Sequence, residues 1–76
     1  MKVEKVMGNR DYMDVHFEDG RVARFLGEMI VGGFVAFVDS LDTWKDGTPI
    51  TAEEKKEILD AVKDRQKVSK MKIILE

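Results

Sequence analysis

One histidine, His16, and no cysteine occur in this chain of 76 residues, so the side-chain chemistry open to it is narrow. His16, Ser40 and one of the many aspartates could make a nucleophilic relay, with the imidazole taking the hydroxyl proton. Their placement argues against it. His16 falls on the polar side of an alternating segment and Ser40 follows a different apolar run, so His16 reads as an exposed structural residue and no catalytic residue is assigned. His16→Ala is expected to leave function unchanged. Asp39, Asp42 and Asp46 resemble an oxygen-ligand loop, but a calcium loop of the EF-hand type takes ligands at alternate positions and closes on a bidentate glutamate. The spacing here supplies neither, and no metal or cofactor is expected. Gly27, Gly32 and Gly33 match neither GxGxxG nor GxxxxGK[ST], and no helix start follows them to present its amides to a phosphate.

Two features point to recognition. Trp44 stands among Asp39, Ser40, Asp42 and Asp46, and an exposed indole could anchor in a partner's pocket while the carboxylates complement a basic surface. Alternatively, Trp44 folds back under its loop to cap the core. The two readings separate on Trp44→Ala, which loses binding with the fold kept in the first case and loses the fold in the second. Lys63, Arg65, Lys67, Lys70 and Lys72 form a basic cluster at a helix C-terminus, where the dipole favours cations in any case. It supports an alternative function, a small nucleic-acid-binding accessory domain, although no aromatic residues are interleaved for base stacking.

The elements that hold these residues follow from periodicity. Met13, Val15 and Phe17 alternate with Tyr12, Asp14 and His16, the period-two pattern of a half-buried strand. Asp19-Gly20 suits a two-residue type I′ turn, which would pair Phe17 with Val22, Val15 with Arg24 and Met13 with Leu26. That register leaves Arg24 on an apolar face, unless a bulge near Ala23 shifts it or Arg24 lies at the sheet's open margin. Lys2 to Met7 reads as a preceding strand, ended by Gly8-Asn9. Gly27 to Gly33 reads as a glycine-rich reversal, and Phe34 to Val38 as a central strand. Asp39 to Pro49 is an ordered loop packed by Trp44. Thr51-Ala52-Glu53-Glu54 is a capping box opening a helix that ends near Gln66, with Ile58, Leu59, Ala61 and Val62 on its apolar side. Met71 to Leu75 returns as an edge strand guarded by lysines.

The predicted fold is therefore α+β, a single domain over residues 1–76 with an antiparallel sheet of four to five strands and one helix packed on one face, in the order β-β-β-β-α-β. The expected core is Met13, Val15, Phe17, Val22, Phe34 or Val35, Phe37, Ile58, Leu59, Val62, Ile73 and Leu75. One helix covers one sheet face, so the face carrying Tyr12, Asp14 and His16 is solvated, meets a partner, or joins a second copy in a homodimer. With 13 Lys and Arg against 15 Asp and Glu, no global field draws the chain to nucleic acid or an anionic membrane. The longest apolar run, Phe34 to Val38, is far short of the roughly 18 residues that span a bilayer. The start of the chain has no secretory pattern, and the expected location is the cytoplasm.

Gly27-Glu28, Gly32-Gly33-Phe34-Val35, Ser40, Trp44, Pro49-Ile50-Thr51 and Glu53-Glu54-Lys55 with Ile58 occur in an order that resembles the small bacterial immunity proteins numbered 74 in the polymorphic-toxin nomenclature. The resemblance runs over roughly residues 12 to 75. It implies a protein that binds and neutralises a cognate toxin, without catalytic residues of its own. The expected partner-binding residues are Trp44, Asp39, Asp42, Asp46 and Ser40.

Overall fold

A computed structural model describes residues 1–66 and 72–76. Five strands and a helix follow one another as β1 (Val3–Gly8), β2 (Tyr12–Phe17), β3 (Val22–Ile30), β4 (Gly33–Ala36), α1 (Ala52–Gln66) and β5 (Lys72–Leu75), with a short 3-10 turn at Val38–Ser40. The strands lie in one sheet in chain order, β1-β2-β3-β4-β5. The α+β class and the order β-β-β-β-α-β are those expected. The last pairing differs: β4 and β5 are parallel, because a crossover through α1 brings the chain back to start β5 at the same end as β4. Met71, expected to begin this strand, lies outside the described residues, as do Lys67 and Lys70.

The β2–β3 turn sets the register of everything after it. Phe17 N–H donates to the Arg21 carbonyl at 2.9 Å and Gly20 N–H to the Phe17 carbonyl at 3.0 Å, so the loop is Glu18-Asp19-Gly20, three residues and not two. Gly20 has φ +93°, the left-handed position that closes such a loop. Asp19 caps it, taking the Arg21 N–H at 3.0 Å. The pairs are then Asp14 with Arg24, Val15 with Ala23 and Met13 with Phe25. The shift anticipated near Ala23 occurs in the turn itself, and it carries Arg24 out of the core while bringing Ala23 and Phe25 into it, both 0% exposed. Val22, expected inside, falls on the outer face for the same reason.

β3 is longer than the sequence pattern suggested. Glu28, Met29 and Ile30, expected in a reversal, continue the strand and pair with Val35, Phe34 and Gly33. β4 correspondingly stops at Ala36, and Phe37 shares the outer face with Val35 and is 40% exposed, which removes it from the expected core. Between β3 and β4 the backbones approach closely at Gly27, where an added β-carbon would lie 1.9 Å from the Val35 carbonyl oxygen and 2.7 Å from the Phe34 ring.

α1 begins at the predicted capping box: Glu54 N–H donates to Thr51 Oγ1 at 3.1 Å and Thr51 N–H to Glu54 Oε1 at 3.0 Å. Ile58 and Val62 are fully buried against Met13, Val15, Phe17, Phe25, Phe34 and Ile73, with Leu59 and Leu75 packed at the margin. At the far end of the helix, consecutive residues reach the two opposite edges of the sheet. Arg65 Nη1 donates to the Glu4 carbonyl of β1 at 3.5 Å, while the Gln66 carboxamide donates to the Ile73 carbonyl of β5 and accepts its N–H at 3.0 Å. In a flat five-stranded sheet those edges would stand roughly 19 Å apart, four strand spacings. The sheet must therefore curl around the helix, whose end occupies hydrogen-bonding groups that would otherwise template a further strand.

Gly27→Ala is expected to cost about 1–3 kcal/mol, at the upper end because the obstructing atom is backbone and cannot rotate away. A fall in the urea midpoint with an unchanged slope measures it.

Candidate functional site

The loop between β4 and α1 carries all the expected partner-binding residues, Asp39, Ser40, Asp42, Trp44 and Asp46, and its backbone docks on β3. Trp44 bridges Ala23 in antiparallel fashion and Lys45 N–H donates to the Val22 carbonyl at 2.9 Å, so the loop extends the place in the sheet that β4 vacates. The Leu26 N–H, which falls between the two, is taken by Ser40. Ser40 Oγ accepts it at 2.9 Å and donates to the Phe37 carbonyl at 2.5 Å. The hydroxyl is thus occupied by backbone. His16 lies opposite Val22, four residues along β3 from Leu26 and so about 13 Å away; the two side chains of the considered relay are not brought together.

Trp44 is in the core, 3% exposed. Its indole meets Phe17 edge to face with centroids 5.9 Å apart, and the Arg21 guanidinium lies over it at 4.3 Å. Of the two readings left open by the sequence, capping is the one observed, and the expectation of an exposed anchor is corrected: alternation along the loop strand points Trp44 inward and Lys45 outward. Arg21 also bonds Asp19 at 2.8 Å and Glu54 at 3.0 Å, which ties the β2–β3 turn, the Trp44 loop and the start of α1 together. The Thr51 amide, foremost, and also the Thr51 hydroxyl, Trp44 and Arg21 hold the Glu54 carboxyl below its ordinary value.

Asp39, Asp42 and Asp46 are all exposed. Asp46 shapes its own turn by accepting the Thr48 N–H at 2.9 Å, and this bond lowers its carboxyl pKa. Among the described residues no group of three or more His, Asp and Glu side chains is arranged to hold a metal ion. In the basic cluster, Lys63 and Lys72 are exposed and Arg65 is half-buried on the Glu4 carbonyl.

The helix-free face of the sheet carries a second polar group that sequence reasoning did not assemble. Asp14, only 6% exposed, takes Arg24 Nε at 2.7 Å and Nη2 at 2.9 Å on its two oxygens, with Lys45 Nζ at 3.5 Å. Arg24 in turn lies over the Tyr12 ring at 3.7 Å. The Arg24 hydrogen bond is the main cause of the lowered Asp14 pKa, with the charges of Arg24 and Lys45 adding to it against burial. The one signal in the sequence was the charge at Arg24 in an apolar alternation, and the two-residue turn assigned it to the wrong face.

Trp44→Ala is expected to remove about 3–5 kcal/mol from a domain whose whole stability is roughly 4–11 kcal/mol; chemical denaturation followed by circular dichroism reads it. Asp14 has a folded pKa below its unfolded one, so its stabilisation is complete above about pH 4 and is lost as pH falls through the folded value. Asp14→Asn should therefore be less stable than the unaltered chain near neutrality, with the gap closing as the pH drops. Urea midpoints between about pH 2 and pH 7 give both curves.

A family profile described as Immunity protein 74 matches residues 5–76, nearly the whole chain, and the chain belongs to that family. No curated protein and no solved structure matches it. No helix among the described residues is long and apolar enough to cross a membrane.

Proposed function

We propose that this member of the immunity protein 74 family neutralises a cognate toxin in the cytoplasm without catalysis, by binding a surface that the toxin needs and covering it. The supporting observation in the geometry is the loop from Asp39 to Asp46, an ordered segment whose three carboxylates all face water while Trp44 and Ser40 fix its backbone from beneath. Carboxylates held at fixed positions complement a basic toxin surface, speed encounter and disfavour the wrong partner. Trp44 and Ser40 are positioning residues in this reading and Asp39, Asp42 and Asp46 are the contacts.

The test is capture of the tagged chain from its native host at low and moderate salt. It is followed by expression of the captured partner's candidate toxin module in a second host, with and without the chain. Growth arrest by the module, relieved by the chain, is the expected result; a module that arrests growth regardless of the chain, or the absence of any stoichiometric partner, overturns the reading. With the partner in hand, replacing Asp39, Asp42 and Asp46 by asparagine together should lower the association rate about 10-fold at low salt and flatten its salt dependence, with dissociation little changed. Stopped-flow mixing measures this. The carboxamide introduced by Asp46→Asn can still accept the Thr48 N–H that shapes the turn.

A further inference from the structure

The uncovered face of the sheet has two properties that an inert solvent face lacks. First, its register builds a cationic site around a rigid arginine. The row Met7–Asp14–Arg24 and the neighbouring row Lys5–His16–Val22 lie side by side across β1, β2 and β3, and Lys45 reaches them from the docked loop. Arg24 and Lys45 thus share one carboxylate, Asp14, with Lys5 in the next row. Arg24 is clamped through Nε and Nη2 and stacked on Tyr12. Its Nη1 has no partner among the described residues, and the side chain is 38% exposed. A guanidinium held in this way has already lost most of its rotational freedom, so a further bond to Nη1 requires little additional ordering.

Second, large apolar side chains flank this site on the same face. Met7 is in the arginine's own row, and Leu26 sits opposite Tyr12 in the next. Phe37 continues that row, its N–H donating to the Leu26 carbonyl at 2.8 Å. The three are 55%, 52% and 40% exposed. Apolar groups grouped on a surface mark places that a partner covers, and a tyrosine-stacked arginine with an apolar surround has the make-up of a binding hot spot.

Resting on the immunity reading and deepening it, we infer that the toxin is gripped on this face, and that the surface it presents there is a carboxylate within an apolar patch, the carboxylate meeting Arg24 Nη1 and the patch meeting Met7, Leu26 and Phe37. The open Nη1 of Arg24, with Lys45 beside it and the face's other carboxylate, Glu28, lying beyond Leu26, selects an anionic group at this point, and the apolar surround excludes water from the pair and strengthens it. A nucleic-acid strand fits less well, since it needs a cationic track several phosphates long with stacking platforms, whereas these cations occupy two adjacent rows bounded by aliphatic and aromatic side chains. The contact is separate from the carboxylates of the loop. Lys45, between Trp44 and Asp46, joins the two regions, so the toxin surface would carry basic groups opposite the loop and an acidic one opposite the sheet.

Two variants test this on the full chain, with the toxin module identified by capture as the probe. Leu26→Glu keeps the Asp14–Arg24 pair and changes an exposed side chain, so its thermal midpoint should stay within a few degrees of the unaltered chain. Arg24→Lys keeps a charge beside Asp14 and removes the planar fork. Each should weaken toxin binding by about 30-fold or more in calorimetric titration and abolish relief of growth arrest. If Arg24→Lys does not fold, Leu26→Glu carries the test alone. Relief and affinity equal to those of the unaltered chain in a folded Leu26→Glu variant would overturn the inference and leave the immunity reading standing. Failure of the unaltered chain to relieve arrest would overturn both. Dimers in sedimentation that Leu26→Glu splits, with toxin binding unchanged, would give the face to a second copy. Salt-sensitive binding of a single-stranded oligonucleotide, lost in both variants while toxin binding persists, would give it to nucleic acid; either result overturns the proposal.

Discussion

The three-residue turn at Glu18-Asp19-Gly20 is the constraint on which the rest of the structure depends. Side chains alternate along a strand with period two, so one residue more or less in the turn moves every side chain of β3 to the opposite face. With two residues, Arg24 and Leu26 would point into the core. With three, Ala23 and Phe25 do so, and Arg24 reaches Asp14 on the outside. Every later contact inherits this choice, because the Trp44 loop docks against Ala23 and Val22 and β4 docks against Gly27 to Ile30.

Curling is the second constraint. Among the described residues one helix covers a five-stranded sheet, and a flat sheet would leave both its edges open. Bending brings the edges to one helix end, where Arg65 and Gln66 bond the backbones of β1 and β5. The carboxamide of Gln66 acts toward Ile73 as a strand would, donating to its carbonyl and accepting its N–H. Among the described residues no further element covers the convex side of the sheet.

Polar groups placed in and around this small core are matched with unusual economy of parts. Arg21 serves Asp19, Glu54 and the Trp44 ring at once, and Asp14 is served by Arg24 and Lys45. No buried side-chain nitrogen or oxygen among the described residues lacks a hydrogen-bond partner. This matters because an orphaned polar group costs about 1–3 kcal/mol, a large share of the stability of so small a domain. It also means that the polar residues near the loop divide by task. Ser40 and Glu54 hold backbone and cap groups in place, whereas Asp39 and Asp42 are left at the surface.

Local patterns in the sequence determined the order of the elements, although not the bounds of β3 and β4. The alternation of Met13, Val15 and Phe17, the capping box at Thr51 to Glu54 and the apolar stripe through Ile58 and Val62 depend only on residues near one another along the chain. They therefore yielded the order β-β-β-β-α-β and the start of the helix, and the ordered series of short motifs carried the family. Choices between nearly equal local alternatives were made by tertiary structure. Asp19-Gly20 is compatible with either turn length, and only burial of Ala23 and Phe25 against the helix selects the longer one. Trp44 in a polar loop can face either way, and the space beside Phe17 and Ala23 decides that it faces inward. Whether β5 runs parallel or antiparallel depends on where the crossover helix delivers the chain, and the pairing of Asp14 with Arg24 depends on a register that neither residue controls.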